Sequence, residues 1–204
     1  ITLTARDEIG GTVGAGATND TRQAIELASI SSVDASSTST GNIVLSGLGA
    51  LTLTDVDTVL GNISVTADGL LTATDVVAAG TNKDVTLNTS TGGIIATLVS
   101  AADSVILTAA AGDITLGAVT ATTGAATIEA TTGAINDATD DLTADVTAGG
   151  LITLTAQDEI GGAAPVGTGI DTRKAIELAS GSSVDASSTS STSAGDIVLS
   201  GLGA

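Results

Sequence analysis

The sequence predicts an all-β fold, a right-handed parallel β-helix (β-solenoid) of about 20–22 residues per coil. Three observations carry that prediction. First, ITLTARDEIGG at 1–11 returns as ITLTAQDEIGG at 152–162, and SSVDASSTS at 31–39 returns unchanged at 182–190, so the chain is a tandem array of long units of about 151–154 residues. Second, segments begin at Leu51, Leu71, Ile94, Ile114, Ile135 and Ile152, at spacings of 20, 23, 20, 21 and 17. Two residues before each stands a glycine: Gly49, Gly69, Gly92, Gly112, Gly133 and Gly150. A glycine once per coil, just ahead of a strand, marks a bend whose backbone conformation other residues avoid. Third, each segment alternates apolar and small polar residues, as in Leu51-Thr52-Leu53-Thr54, the period of a strand with one buried face.

The elements follow in order. The longest coil runs from Ile1 to Val33, and again from Ile152 to Val184; it carries DEIGG and DTR, read as an extra strand with a bulging loop. A partner strand stands about eight residues upstream of each segment, with Ile25 before Val33, Ile43 before Leu51, Ile63 before Leu71, Ile106 before Ile114 and Ile176 before Val184. Elsewhere Thr86, Thr127 and Ala144 hold that place, so the register slips by a residue and Val85 and Ile128 take the inward role. Helix is disfavoured, because Thr, Val and Ile abound and the glycines leave no run of useful length. Seven coils fit 151 residues and, with strands stacked roughly 4.8 Å apart, one unit adds on the order of 34 Å of rod. Asn42 and Asn62, each preceding Ile in consecutive coils, are expected to stack as a short amide ladder, with Asp196 replacing Asn42 in the next unit. Residues 1–204 read as one continuous solenoid: unit 1–151 and the start of the next, 152–204, expected to continue into further units or stacked copies because a cut solenoid exposes strand edges and apolar layers.

Composition removes several functions. There is no Cys, Met, His, Phe, Tyr or Trp, which rules out disulfides, thiolate metal sites and histidine-assisted nucleophiles. With 23 acidic against five basic residues the net charge is −18, so neither nucleic acid nor an anionic membrane surface suits as a partner. No apolar run reaches the roughly 18 residues of a membrane-spanning helix. Disorder is disfavoured by 42% hydrophobic residues, a mean hydropathy of +0.46 and their patterning.

Candidate chemistry therefore rests on carboxylates and hydroxyls. Asp137, Asp140, Asp141 and Asp145 cluster around one turn, formally an acid–base group, but a glycan-cleaving site also needs aromatic or basic substrate contacts, and the chain is read as no enzyme. No cofactor is required, and calcium is the candidate cation: Asp55 and Asp75 are expected one rung apart on one side, with Asp141 and Asp158 loosely similar, while the glycine-rich nonapeptide of calcium-binding β-rolls and the Asp-x-Asn-x-Asp-Gly loop of helix-loop-helix sites are both absent. Thr2/Thr4, Thr52/Thr54, Thr72/Thr74 and Thr153/Thr155 resemble the outward Thr-x-Thr arrays of ice-binding solenoids, broken here at Ile95/Thr97, Thr115/Gly117 and Asn136/Ala138. Arg22, Arg173 and Lys174 lie in the DTR segments beside Asp20 or Asp171, as local ion pairs or as a contact point between rods. Asn19, Asn62 and Asn88 stand in N-x-Ser/Thr sequons.

GNIVLSGLGALTLTD, GNISVTADGLLTATD and AAGDITLGAVTATTG, with the DEIGG and AIELAS insertion, resemble the repeats of the filamentous haemagglutinin-like family of large repetitive bacterial surface proteins. The resemblance covers essentially the whole chain. It implies a parallel β-helix rod, extracellular or on the cell surface, in an adhesin stalk or fibre. Its expected partners are itself, end to end or side by side, and glycans of host cells, neighbouring cells or matrix.

Overall fold

Strands form where Val, Ile, Leu and Thr alternate, and each pairs with strands of the neighbouring coils in parallel. The structure is a computed structural model that describes residues 1–10, 24–139, 141, 143–161, 175–190 and 195–201. Among these residues the strands make two sheets, of eleven and eight strands, which the chain visits alternately as it winds. This is a parallel β-solenoid, as the sequence predicts. In the larger sheet Leu51 pairs with Leu71, Leu71 with Ile94, Ile94 with Ile114 and Ile114 with Ile135. In the smaller, Ile43, Ile63, Val85, Val105, Ala126 and Ile152 are stacked in the same way. Every one of these residues is buried to within 1%. Aliphatic side chain rests on aliphatic side chain along these columns, which the absence of large rings permits.

The register differs from the expectation in two places. Val105, not Ile106, points inward; Ile106 is 38% exposed. Val85 and Ile128 do turn inward. The alignment of Ile152 with Ile135 fails, because Ile135 pairs with Ile160 while Ile152 belongs to the other sheet, on Ala126. The strand that opens the first unit, Thr2–Ala5, lies in the larger sheet, whereas its copy, within Leu151–Ala156, lies in the smaller. One unit therefore spans six and a half coils rather than seven, or about 31 Å at roughly 4.8 Å per coil.

Strands of the larger sheet are long and bent. Along Leu51–Thr58 inward Leu53 is followed by two outward residues, Thr54 and Asp55, before Val56 turns inward again, so the strand changes direction at that point. Ile94–Ala101 and Ile114–Ala121 repeat the break. One coil further on the strand is divided outright: Ile135–Asp137 and Val146–Ala148 stand on either side of a detour through 138–145.

The corners explain the glycine register, and mostly by space rather than by dihedral angle. A Cβ on Gly92 would lie 2.4 Å from Gly69 C and Leu70 N, and one on Gly133 would lie 2.4 Å from Gly112 O. Successive glycines are thus stacked against each other's backbone. Of this column Gly49 and Gly112 also have positive φ, 151° and 92°. Gly150 meets Gly124 instead, consistent with its place on the other sheet.

At another corner the expected amide ladder is longer than the two asparagines and works differently. Asn42 Oδ1 accepts the N–H of Asn62 at 2.8 Å, Asn62 Oδ1 that of Asp84 at 3.1 Å, and Asp84 Oδ1 that of Ser104 at 3.0 Å. Each side chain caps the backbone one coil along, so any short acceptor serves.

Two stability predictions follow from the corners. Gly92→Ala is expected to cost about 1–3 kcal/mol through overpacking against the neighbouring coil, while Gly201→Ala, with nothing within 4 Å of the added carbon, stays within about 0.5 kcal/mol; thermal melts followed by circular dichroism check both. Asn62→Ala removes the acceptor for the Asp84 N–H and is expected to lower stability by about 1 kcal/mol, whereas Asn62→Ser, copying Ser104, restores most of it.

Candidate metal centre at the unit junction

The bend of the larger sheet carries one column of residues through successive coils. Asp34 pairs with Asp55, and the pairing of Val56 with Val76 sets Asp55 and Asp75 one rung apart, as expected. Leu98 and Ala118 follow, then Asp145 and Glu177, as the pairings Val119 with Val146 and Val146 with Leu178 require. Beside this column runs the inward one of Leu53, Ala73, Ala96 and Leu116. The next residue in it is Asp137. A carboxyl group thus occupies an aliphatic core position, 5% exposed.

Asp137, Asp145 and Glu177 converge. A carboxylate oxygen from each lies within 4.8 Å of the other two, and all three residues are buried, Asp145 to 2% and Glu177 to 6%. Local structure fixes two of them. Asp137 Oδ1 accepts the N–H of Thr139 at 2.7 Å, a turn that starts the detour. Asp145 Oδ2 accepts the N–H of Glu177 at 2.9 Å, the same side-chain-to-next-coil bond seen in the corner ladder, and the Asp145 N–H donates to the Glu177 carbonyl at 2.8 Å. Asp137 Oδ2 and Glu177 Oε2 are buried and have no hydrogen-bond partner among the described residues.

The electrostatics follow from crowding like charges in a dry place. Burial pushes the Asp145 carboxyl up to about 8, against the bond from the Glu177 N–H and reinforced by Asp137 and by Glu177 itself. Glu177 is raised too, by burial first and then by Asp137 and Asp141. The described cationic side chains, Arg6 and Lys83, belong to other coils. An oxygen-only cluster of this kind can coordinate a hard metal ion.

Of the residues singled out in the sequence, Asp137 and Asp145 come together here. Asp141 stands at the rim, exposed and held by Thr143 and Thr139, which keep its carboxyl below the usual range. Asp158 lies past the end of Leu151–Ala156, its N–H on the Gly133 carbonyl at 3.1 Å. Asp55 and Asp75 lie at the bend four and three coils away, and Asp75 Oδ1 is buried without a partner among the described residues. Asp20, Asp140, Asp171, Arg22, Arg173, Lys174 and Asn19 lie outside the described residues. Sequence reasoning passed over Glu177. The available signal was Glu between Ile176 and Leu178 in a strand, present again as Glu26 in the first unit. The Thr-x-Thr pairs do not share a face: Thr52 and Thr72 pair, Thr2 lies in the column of Asp34, and Thr153 is on the smaller sheet. No protein-family model, curated protein or solved structure matches the chain.

A carboxyl that is protonated in the folded chain and ionised in the unfolded one makes folding take up a proton. For Asp145 the folded value lies above the ordinary carboxyl value of 3.8. The stability it contributes is therefore full below about pH 4 and is lost progressively as pH rises to about 8. In chelator-treated protein the melting temperature is expected to fall by several degrees across that window, and Asp145→Asn, which stays neutral and keeps an acceptor for the Glu177 N–H, is expected to flatten the fall.

Proposed function

We propose that the chain is a rod segment of an extracellular or cell-surface fibre or adhesin stalk, assembled from tandem β-solenoid units. The observation that carries this reading is the unbroken ladder across the unit boundary: Ala126–Ala130 of the first unit pairs residue for residue with Leu151–Ala156, which in turn pairs with Ser183–Ser188 of the second. One core thus continues from unit to unit, and length is gained by adding coils rather than by linking separate domains. Parallel ladders and layered aliphatic packing supply stiffness. The acidic Thr- and Ser-rich exterior keeps the rods soluble. In this reading the segment is not an enzyme; its partners are further units, stacked or lateral copies, and glycans of host cells, neighbouring cells or matrix. No helix among the described residues is long and apolar enough to cross a membrane.

A second reading, a ligand-binding solenoid, is favoured by the buried group Asp137, Asp145 and Glu177, for which calcium is the ligand of suitable chemistry.

Immunogold electron microscopy of source cells, with an antibody raised against the repeat, tests the first reading. Gold strung along surface filaments is the expected result. Label confined to the cytoplasm, or dispersed in the medium, overturns it and leaves the ligand-binding reading in its place.

A further inference from the structure

We propose that Asp137, Asp145 and Glu177 form a calcium site that closes the junction between consecutive long units. The inference rests on the calcium reading above and adds where the ion acts. Asp137 and Asp145 come from the end of the first unit, and Glu177 from the second. The ligands therefore meet only when one unit is laid on the next.

The geometry suits a hard cation. Oxygens bound about 2.4 Å from a calcium ion can be no more than about 4.8 Å apart, and the three carboxylates meet that limit. Two buried oxygens, Asp137 Oδ2 and Glu177 Oε2, lack a hydrogen-bond partner among the described residues. Burying charge in this way is costly unless a counter-charge is supplied. With neither sulfur nor imidazole in the sequence, only oxygen ligands are on offer, which favours calcium over softer metals.

The seam itself gives the site a task. Ile94–Ala101 and Ile114–Ala121 are paired at seven positions, from Ile94 with Ile114 to Ala101 with Ala121. At the unit boundary Val146–Ala148 and Ile176–Leu178 are paired at one, Val146 with Leu178, and Ile135 meets Ile160 through an isolated bridge. Among the described residues, the larger sheet is thus most thinly paired where the acidic cluster sits. A cation bridging Asp145 to Glu177, and both to Asp137, ties the two coils there. Glu26 holds in the first unit the place that Glu177 holds in the second, so a preceding unit in the same phase would complete the site again.

The test uses the whole chain. Melting temperature and amide hydrogen exchange are measured in millimolar calcium chloride and in chelator, with magnesium as a control, for the unaltered protein and for Glu177→Gln. Calcium is expected to raise the melting temperature by several degrees and to slow exchange about tenfold at the amides of Asp145 and Glu177, with both effects absent in Glu177→Gln. Exchange in the unaltered protein reads the seam directly, whether or not a variant folds. A calcium response undiminished in Glu177→Gln, or protection confined to other coils, overturns the junction site and leaves calcium binding elsewhere on the rod. No response to calcium at all overturns both readings.

Discussion

The whole molecule depends on the parallel backbone ladder between one coil and the next. Once strands stack in register at about 4.8 Å, each inward position becomes a column, and each column must be filled by side chains that tolerate identical or similar neighbours above and below. Leu51, Leu71, Ile94 and Ile114 satisfy that for the core. Asn42, Asn62, Asp84 and Ser104 satisfy it for a corner, where an oxygen must reach the N–H one coil on. Gly69, Gly92 and Gly112 satisfy it by having no side chain to place. Buried hydroxyls obey the same constraint: Thr58 Oγ1 donates to the Gly41 carbonyl at 3.0 Å and accepts the Gly61 N–H at 2.9 Å, so no polar atom there enters the core unpaired.

Much of this was legible in the sequence because a parallel stack turns three-dimensional neighbours into residues separated by one coil. The columns that begin at Leu51 and Ile43 could be read from spacing alone, including the slip that turns Val85 and Ile128 inward. Ile106 could not, because Val105, Ile106 and Leu107 are all apolar and alternation gives no preference. Ile152 misled for a different reason: its sequence matches the strand at Ile1, but the detour through 138–145 and the short strand at Val146–Ala148 complete one more pass of the larger sheet before it. Likeness of sequence located the unit boundary and gave no information on which side of the rod the boundary falls.

The acidic cluster was half legible for a related reason. Asp137 departs from the apolar column in the segment that begins INDATDD, and Asp145 lies eight residues on, so their proximity could be anticipated. Glu177 is separated from Asp145 by a full coil and a long insertion, an offset of 32 residues that no regular spacing in the chain suggests. Among the described residues, sparse pairing of the larger sheet and accumulation of buried carboxylates thus occur at one seam.

The half-coil left over in each unit has a geometric consequence for any array built on this phase. Identical residues of consecutive units emerge on opposite flanks, as leaves alternate along a stem. A flat partner lying along one flank would meet a given motif only at every second unit, about 62 Å apart, while the motifs between face the other way. Such a rod is two-sided by construction, presenting the same sequence on either flank.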